Sequence, residues 1–370
     1  MKKLSDKLSV NNLTLRNRLV MPALTTNAAA EGGLVTESVL DFYRKRASAV
    51  GMVIVEAAAV RHDGRLVQNS IGLWDDQQLP GMERLAETIK NKGAAAVVQL
   101  NHAGARCVPQ PGPLAGASPS GFQFHSDVQP LVLSEAQIGE LINDFAAAAG
   151  RAVAAGYNGV EIHGAHFYLL SQFVSPYTNQ REDSYGGGID GRAVFPLAVF
   201  KAVRKQIGPD PTILYRMNAV EQMVSNEVTE DTKAFSRMLA DAGVDLLGVS
   251  FTGPAVRQEL DDGSWQVLTS SALTRDGRFG ANIDHPATLK NASSLPVIAV
   301  GKMADREVIT AALEQDQTDL IAIGRQLIAD PEVAAKMLAG KYEEINKCKE
   351  CFNCFSTIRR GEQMRCVLWD

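Results

Sequence analysis

The sequence lacks three features, and each absence argues against a class of protein. It has no excess of positive charge, with 37 Lys and Arg against 42 Asp and Glu and a formal net charge of −5, so no basic field favours nucleic acid. It contains no apolar run near the roughly 18 residues of a membrane span, and its basic first residues lead into no apolar stretch typical of a secretory signal. Its five cysteines, an odd number, argue against a disulfide framework. We therefore expect a soluble, cytoplasmic protein without nucleic-acid or membrane partners.

What the sequence does contain is a repeated alternation of strand and helix. Short apolar runs typical of buried parallel strands occupy residues 19–24, 52–56, 95–100, 159–163, 213–217, 246–250, 297–301 and 320–324. Helical patterns lie at 36–50, 81–92, 134–155, 191–207, 230–242, 305–313 and 331–340. Ser134 and Gln137 open the third of these as a capping box. Eight strands with intervening helices predict an α/β fold of the (β/α)8 TIM-barrel type.

A doubly wound sheet is the rival architecture, but no Gly-rich dinucleotide fingerprint follows the first apolar run. No linker, internal repeat or low-complexity tract divides the chain, so we expect one domain over residues 1–370. Two long excursions, at 107–133 and 251–283, follow strands 3 and 6. Both leave the carboxyl-terminal face of the barrel, where this fold builds its active sites.

The most informative stretch begins where the fourth predicted strand ends. His163, His166 and Tyr168 fall within six positions of one another. A single histidine at a strand end is more often satisfied by the backbone than functional. Two imidazoles and a phenol, all able to donate hydrogen bonds near neutral pH, favour an active site.

A second pattern follows the last two predicted strands. Strand 7 ends with Gly301-Lys302 and strand 8 with Gly324-Arg325. The loops after strands 7 and 8 commonly bind phosphate in this fold, since glycine permits close backbone approach and a cation pairs with the phosphate oxygens. Each dipeptide alone is weak evidence, but the pair predicts a phosphate-bearing ligand.

On these residues the chain resembles the Old Yellow Enzyme family, the FMN-dependent ene-reductases, as a single-domain bacterial-type member. The specific motif is His163-Gly164-Ala165-His166-Phe167-Tyr168-Leu169-Leu170-Ser171-Gln172-Phe173, continued by Asn179, Arg181, Asp183 and Tyr185-Gly186-Gly187. Glu161 and the run from Gln99 to Gly104 agree with it, and the likeness extends over residues 13–325.

The resemblance implies a role for each matching residue. His163 and His166 would hold the carbonyl oxygen of the substrate, His163 also lying against the flavin, and Tyr168 would donate the proton. The residues implied to bind FMN are Pro22, Ala23 and Leu24 through the backbone, Thr25 at a flavin carbonyl, Ala57 and Gln99 at the ring, Arg216 near N1 and C2, and Gly301, Lys302, Gly324 and Arg325 at the phosphate.

The implied activity is reduction of the C=C bond of a small α,β-unsaturated carbonyl compound. NADH or NADPH would reduce FMN, and hydride would then pass from flavin N5 to the β-carbon in a ping-pong cycle. An iron–sulfur-assisted dienoyl-CoA-type reductase and an RNA-modifying flavoprotein of the dihydrouridine synthase type are the alternatives. A homo-oligomer is possible.

Two departures from the family pattern carry structural consequences. The first strand reads Met21-Pro22-Ala23 where the family usually has Ala before Pro, so the backbone contact to flavin falls on Pro22, Ala23 or Leu24. Phe167 stands where the family usually has glycine. If that position needs a positive φ, the phenylalanine is strained; otherwise its ring narrows the pocket.

The segment 346–370 is rich in cysteine. Cys348, Cys351, Cys354 and Cys366 have a spacing close to that of the [4Fe–4S] site of the larger relatives, with the second gap one residue shorter. A zinc ion bound by four thiolates would also suit the spacing. Since the chain ends at Asp370 without the flavin and nucleotide domains that feed such a cluster, we expect no metal and keep the four thiols as candidates.

Overall fold

The computed structural model describes residues 1–259, 263–268 and 278–369. Its strands, in chain order, are β1 (Leu8–Val10), β2 (Leu13–Leu15), β3 (Leu19–Met21), β4 (Met52–Ala59), β5 (Ala95–Asn101), β6 (Ala117–Ser118), β7 (Leu131–Val132), β8 (Gly159–Gly164), β9 (Thr212–Glu221), β10 (Leu246–Thr252), β11 (Val256–Glu259), β12 (Trp265–Leu268), β13 (Val297–Val300) and β14 (Leu320–Ala322). Eight of these, β3, β4, β5, β8, β9, β10, β13 and β14, form a closed barrel in which neighbouring strands pair in parallel. The predicted (β/α)8 barrel is confirmed.

The helices of the described residues are α1 (Glu37–Arg46), α2 (Leu79–Lys90), α3 (Glu135–Ala154), α4 (Leu169–Val174), α5 (Ile189–Arg192), α6 (Val194–Ile207), α7 (Glu230–Ala242), α8 (Asp284–Ser293), α9 (Arg306–Glu314), α10 (Arg325–Ala329), α11 (Val333–Leu338) and α12 (Asn353–Arg359). Short 3-10 helices lie at Glu31–Gly33, His62–Gly64, Asp76–Gln78, Gly104–Arg106 and Tyr342–Glu344. None of the helices in the described part of the chain is long and apolar enough to cross a membrane.

The predicted helices differ from the observed ones mainly at their ends. The Ser134–Gln137 capping box opens α3 as expected, and α7 begins and ends at the predicted residues. The first helix stops at Arg46, four residues before the predicted end, because the chain turns at Ala49 with a φ of 68°. The helix α8 was missed, since its sequence is weakly amphipathic and holds a proline near its start.

Apolar side chains fill the barrel interior near the strands' amino-terminal end. Val20, Met52 and Leu246 lie there with Val10 and Leu15 of the β1–β2 hairpin in one buried cluster. The hairpin therefore closes that end of the barrel, and the carboxyl-terminal end is left for polar residues.

The ladder is interrupted at two places near the carboxyl-terminal end. Between β4 and β5 the register shifts between Val55 and Ala58, and between β9 and β10 it shifts at Ser250/Phe251. Bulges of this kind re-aim side chains next to active sites. Glu56 and Ser250, two buried polar residues, lie next to these shifts.

The two long excursions contact each other above the barrel. The first carries the short β6–β7 pair and the second the β11–β12 hairpin. Ser126 donates its backbone N–H to the Trp265 carbonyl at 2.9 Å, and Val267 donates to Phe124 at 2.7 Å. Residues 260–262 and 269–277 of the second excursion lie outside the described residues.

Candidate active site

His163, His166 and Tyr168 form one cluster at the carboxyl-terminal end of β8. The ring centroids of His163 and Tyr168 are 4.9 Å apart, those of the two histidines 5.0 Å, and those of His166 and Tyr168 6.2 Å. All three pairs meet edge to face, with interplanar angles between 84° and 89°. The Tyr168 hydroxyl makes no hydrogen bond within the described residues. The structure therefore brings together the two imidazoles and the phenol that the sequence singled out.

The ring nitrogens of the histidines form a chain of hydrogen bonds that ends on Ser250. The Ala165 backbone N–H donates to His163 Nδ1 at 3.3 Å, His163 Nε2 lies 3.2 Å from His166 Nδ1, and His166 Nε2 lies 2.6 Å from Ser250 Oγ. Because His163 Nδ1 accepts a hydrogen bond, the proton of its neutral ring is on Nε2. In the tautomer that satisfies this chain, His166 Nδ1 accepts from His163 and Nε2–H donates to Ser250.

The second tautomer of His166 has a different consequence. With the proton on Nδ1, His166 faces the Nε2–H of His163 with another donor across 3.2 Å. Two donors at that distance repel unless an acceptor oxygen takes both hydrogens. Ser250 can support this tautomer by donating its O–H to His166 Nε2, while Arg216 Nη2 donates to Ser250 Oγ at 3.5 Å. In this tautomer both facing ring nitrogens carry N–H donors, which can donate together to one acceptor oxygen.

Ser250 was not singled out from the sequence. Its only signal was its place at the end of the sixth predicted strand. A serine there is unremarkable until the bulge at Ser250/Phe251 and the His166 contact are known.

The electrostatics of the cluster keep both imidazoles neutral. Burial lowers the pKa of His163 well below its usual value, and the positive charges of Arg216 and Arg106 lower it further. Burial also lowers the pKa of His166, as do His163 and the same two arginines. Burial raises the pKa of the Tyr168 phenol, and the two arginines partly oppose that rise. Near pH 7 the cluster therefore offers two hydrogen-bond donors and one protonated acid, Tyr168.

A polar row lies beside this cluster on three adjacent strands. Gln99 on β5 pairs with Glu161 on β8 in the ladder, and its Nε2 donates to Glu161 Oε2 at 2.6 Å. Arg216 on β9 is the ladder partner of His163 on β8. A Cβ on Gly248 would come within 3.0 Å of Glu161 Oε1, so glycine on β10 leaves room for that carboxylate.

The row contains buried polar atoms that the protein itself does not satisfy. Arg216 is 7% exposed, and its Nε has no hydrogen-bond partner among the described residues, as is true of Glu161 Oε1. A buried guanidinium without a strong acceptor is costly. A planar heterocycle with a carbonyl and an acceptor nitrogen, such as the pyrimidine edge of a flavin, would satisfy such donors. The residues present therefore fit FMN at this position.

The loop after β3 is held by a buried carboxylate. Thr26 donates to Glu56 twice, from its backbone N–H at 2.8 Å and from its hydroxyl at 2.7 Å. The Glu56 N–H donates to the Tyr43 hydroxyl at 2.7 Å. Burial raises the pKa of Glu56 to about 7. Thr25 and Ala57, which are predicted to contact the flavin, are thus the sequence neighbours of Thr26 and Glu56, which hydrogen bonds hold in place. Thr25 is half-buried and Ala57 is buried.

The predicted phosphate loops adjoin the first strand and the cysteine-rich segment. Gly301 and Lys302 have φ values of 111° and 48°, a conformation that glycine adopts readily and lysine rarely. A Cβ on Gly324 would lie 3.4 Å from Leu24 Cδ2 and 3.5 Å from Pro22 Cγ, so the loops after β3 and β14 pack together. Pro22 is buried, while Ala23 and Leu24 are half-buried.

The cations of these loops contact the segment that carries the cysteines. Lys302 Nζ forms an ion pair with Glu350 Oε2 at 2.7 Å, and the Arg325 guanidinium lies 5.0 Å from the centroid of the Phe352 ring. The segment therefore covers the side of the barrel at which a phosphate is expected.

The four cysteines of that segment lie near one another. Burial raises the pKa of the Cys354 thiol, and Cys348, Cys366 and Cys351 add to the rise. Within the described residues no three His, Cys, Asp or Glu side chains are arranged to hold a metal ion. Iron, acid-labile sulfide and zinc assays on the purified protein decide whether the candidates bind metal. Cys107 is buried elsewhere, in the first excursion.

Phe167 has a φ of 54° and His166 before it a φ of 61°. Position 167 therefore has the positive φ at which a phenylalanine is strained. The Phe167 ring is fully buried with Phe124 and Ala105. Gln172 donates to the Phe167 carbonyl at 2.7 Å and helps to hold this turn.

The comparisons with known proteins agree with this architecture. The model of the NADH:flavin oxidoreductase / NADH oxidase family matches residues 3–344. The chain belongs to this family. This family is the Old Yellow Enzyme type, whose cofactor is FMN.

Three of the similar proteins illustrate the range of the family. The chain is 35% identical to an NADH oxidase of Thermoanaerobacter brockii over 97% of this chain and 54% of the relative. It is 34% identical to an NADPH dehydrogenase of Listeria monocytogenes serotype 4b over 93% of this chain and 97% of the relative. Among solved structures, morphinone reductase is 25% identical with a TM-score of 0.78, over 96% of this chain and 92% of that one. The chain thus spans about half the length of some curated relatives and nearly all of others.

Proposed function

We propose that the chain reduces the C=C bond of α,β-unsaturated carbonyl compounds with NADH or NADPH as the reductant. The observation that carries the proposal is the pair of neutral imidazoles, His163 and His166, whose ring nitrogens lie 3.2 Å apart beside Tyr168. Two N–H donors aimed at one oxygen stabilise negative charge as it develops on a carbonyl. The name of morphinone reductase supports an activity of this kind by analogy.

Bound FMN would carry the hydride from NADH or NADPH to the substrate. This chain would supply the groups that bind and orient the substrate and donate the proton. His163 Nε2–H and the Nδ1–H tautomer of His166 would hold the carbonyl oxygen and polarise the alkene. Ser250 would keep His166 in that tautomer. Gln99 and Arg216 would bind the flavin ring at its pyrimidine side, while Pro22, Ala23, Leu24, Thr25 and Ala57 would position its other edge.

The phosphate would be held by Gly301, Lys302, Gly324 and Arg325. Of these, Arg325 offers the planar fork that matches phosphate oxygens, and Lys302 offers a point charge.

Tyr168 would deliver the proton to the α-carbon. Its hydroxyl makes no hydrogen bond within the described residues, so it is available to a ligand. Its raised pKa keeps it protonated at neutral pH. The imidazoles cannot take this role at pH 7 because burial and two arginines keep them neutral.

The test is a spectrum and a coupled assay on the purified protein. We expect a yellow protein that releases FMN on denaturation and oxidises NADH or NADPH when cyclohexenone is added, with cyclohexanone as the product. A protein that takes up FMN and oxidises NAD(P)H with oxygen or quinones, but never forms cyclohexanone from cyclohexenone, would refute ene reduction and leave the family assignment intact.

A further inference from the structure

Arg106 places a cation next to the proposed proton donor without a counter-ion. Its Nη1 donates to the His166 carbonyl at 2.5 Å, and its guanidinium lies 5.3 Å from the Tyr168 ring centroid and 5.6 Å from that of Phe124. Among the described residues no carboxylate pairs with it. The side chain is half-buried, and a cation removed from water is normally paired.

The other groups at the same rim are mostly positive or neutral, and the Asp127 carboxylate near His125 is a negative charge among them. Arg359 at the end of α12 packs over the Phe355 ring at 4.5 Å. Partial burial lowers the pKa of its guanidinium, and the nearby charge of Arg106 lowers it further. Burial lowers the pKa of His125 to about 4; Arg106 and Arg359 lower it further and Asp127 opposes them, so this imidazole is neutral at pH 7. Arg216 adds positive charge deeper in the pocket. In a chain with a net charge of −5, this local excess of positive charge points to an anionic ligand.

We propose that Arg106, with Arg359 at the rim, binds a carboxylate carried by the unsaturated carbonyl substrate. The inference rests on the proposed function and names a substrate class for it. With its carbonyl oxygen on His163 and His166, a short substrate would extend past Tyr168 toward Arg106. The guanidinium has five N–H donors, and one of them donates to the His166 carbonyl. Enough donors remain for a two-point contact with a carboxylate.

The phosphate groups of NADH or NADPH share this chemistry and would enter from the same side. The substrate is favoured because the Arg106 guanidinium lies over the ring of Tyr168, 5.3 Å from its centroid. A group bound there lies within a few bond lengths of the alkene.

The experiment compares an acid with its ester. The specificity ratio, kcat/KM for trans-β-acetylacrylate over kcat/KM for its methyl ester, is measured for the FMN-loaded wild type, Arg106→Gln, Arg106→Lys and Arg359→Gln. Arg360→Gln is the matched control, because Arg360 lies next to Arg359 and pairs with Glu362 at 2.8 Å. Dividing each variant's ratio by that of the wild type cancels the intrinsic difference between acid and ester.

We expect the ratio to fall roughly tenfold or more in Arg106→Gln, as for a lost charge-assisted contact. It should fall less in Arg359→Gln, recover partly in Arg106→Lys and stay unchanged in Arg360→Gln. An unchanged ratio in Arg106→Gln would overturn the proposal, even if both substrates become slower. A selective loss of flavin reduction by NADH or NADPH, with the ratio intact, would assign Arg106 to the cofactor phosphates instead.

A binding readout separates this proposal from the proposed function. Para-hydroxybenzoate and its methyl ester are titrated into the oxidised protein by calorimetry. If neither acetylacrylate nor its ester is reduced, ene reduction is refuted, and the calorimetry still tests the carboxylate site. Arg106→Gln should weaken binding of para-hydroxybenzoate more than binding of its methyl ester, and equal weakening would refute the site.

Discussion

Replacement of Tyr168 by phenylalanine should separate the two halves of the catalytic cycle. The change removes one oxygen and keeps the ring that packs on His163 at 4.9 Å and beside Arg106 at 5.3 Å. Since the hydroxyl holds no hydrogen bond within the described residues, its loss leaves none of their polar groups without a partner. Flavin reduction by NADH or NADPH needs no proton from the enzyme, so its rate should be nearly unchanged.

The oxidative half needs a proton at the α-carbon, and no other protonated acid stands in the cluster. The rate of flavin oxidation by cyclohexenone should therefore fall by roughly 10²–10⁴-fold, the usual contribution of a positioned general acid. Stopped-flow spectroscopy of each half-reaction measures both rates. Quinones are the control oxidants, because they take their proton on oxygen and readily from water. If cyclohexenone oxidises the reduced variant at the wild-type rate, Tyr168 is not the donor and the reasoning is refuted.

Three further predictions concern residues around this acid. Ser250→Ala should weaken binding of para-substituted phenols, followed by the flavin spectrum, by about 0.5–1.5 kcal/mol, since His166 loses a hydrogen-bond partner; Ser250→Thr should retain binding. Phe167→Gly should lower the free energy of unfolding in urea by about 2–4 kcal/mol, because the lost packing outweighs the relieved left-handed strain. In the folded protein burial raises the pKa of Glu56 from 4.5 to about 7, so the wild type loses stability as this carboxyl ionises between those two pH values. Glu56→Gln should remove this loss, and the Tm of the variant should change less with pH over that range.

The barrel could be predicted because its strands are buried on both faces. Runs such as 95–100 and 320–324 read as unbroken apolar stretches, and glycines at positions such as Gly156 and Gly243, with φ of 84° and 96°, mark where helices end. The first strand was predicted three residues too long. After Met21 the apolar Pro22, Ala23 and Leu24 continue the pattern although the backbone has left the ladder, and hydrophobicity does not report that departure.

Three residues of the candidate site could be predicted from the sequence, but Ser250, Arg106 and the mutual arrangement of all five could not. His163, His166 and Tyr168 stand close in sequence and carry distinctive chemistry. Ser250 and Arg106 come from other strands and loops, and each is an ordinary residue for its local sequence. Only closure of the barrel brings Ser250 within 2.6 Å of His166 and Arg106 within 2.5 Å of the His166 carbonyl.

His166 is the residue on which these arrangements converge. Its φ of 61° turns its ring toward His163 and its carbonyl toward Arg106, while its N–H donates to Asn218 Oδ1 at 3.2 Å. A left-handed residue followed by a left-handed Phe167 costs conformational free energy, so the surrounding contacts must stabilise it. A change at Arg106 or Phe167 should thus alter how well the two N–H donors meet one oxygen. For this reason the acid-to-ester ratio, rather than the absolute rate, distinguishes a carboxylate contact from support of the histidine turn.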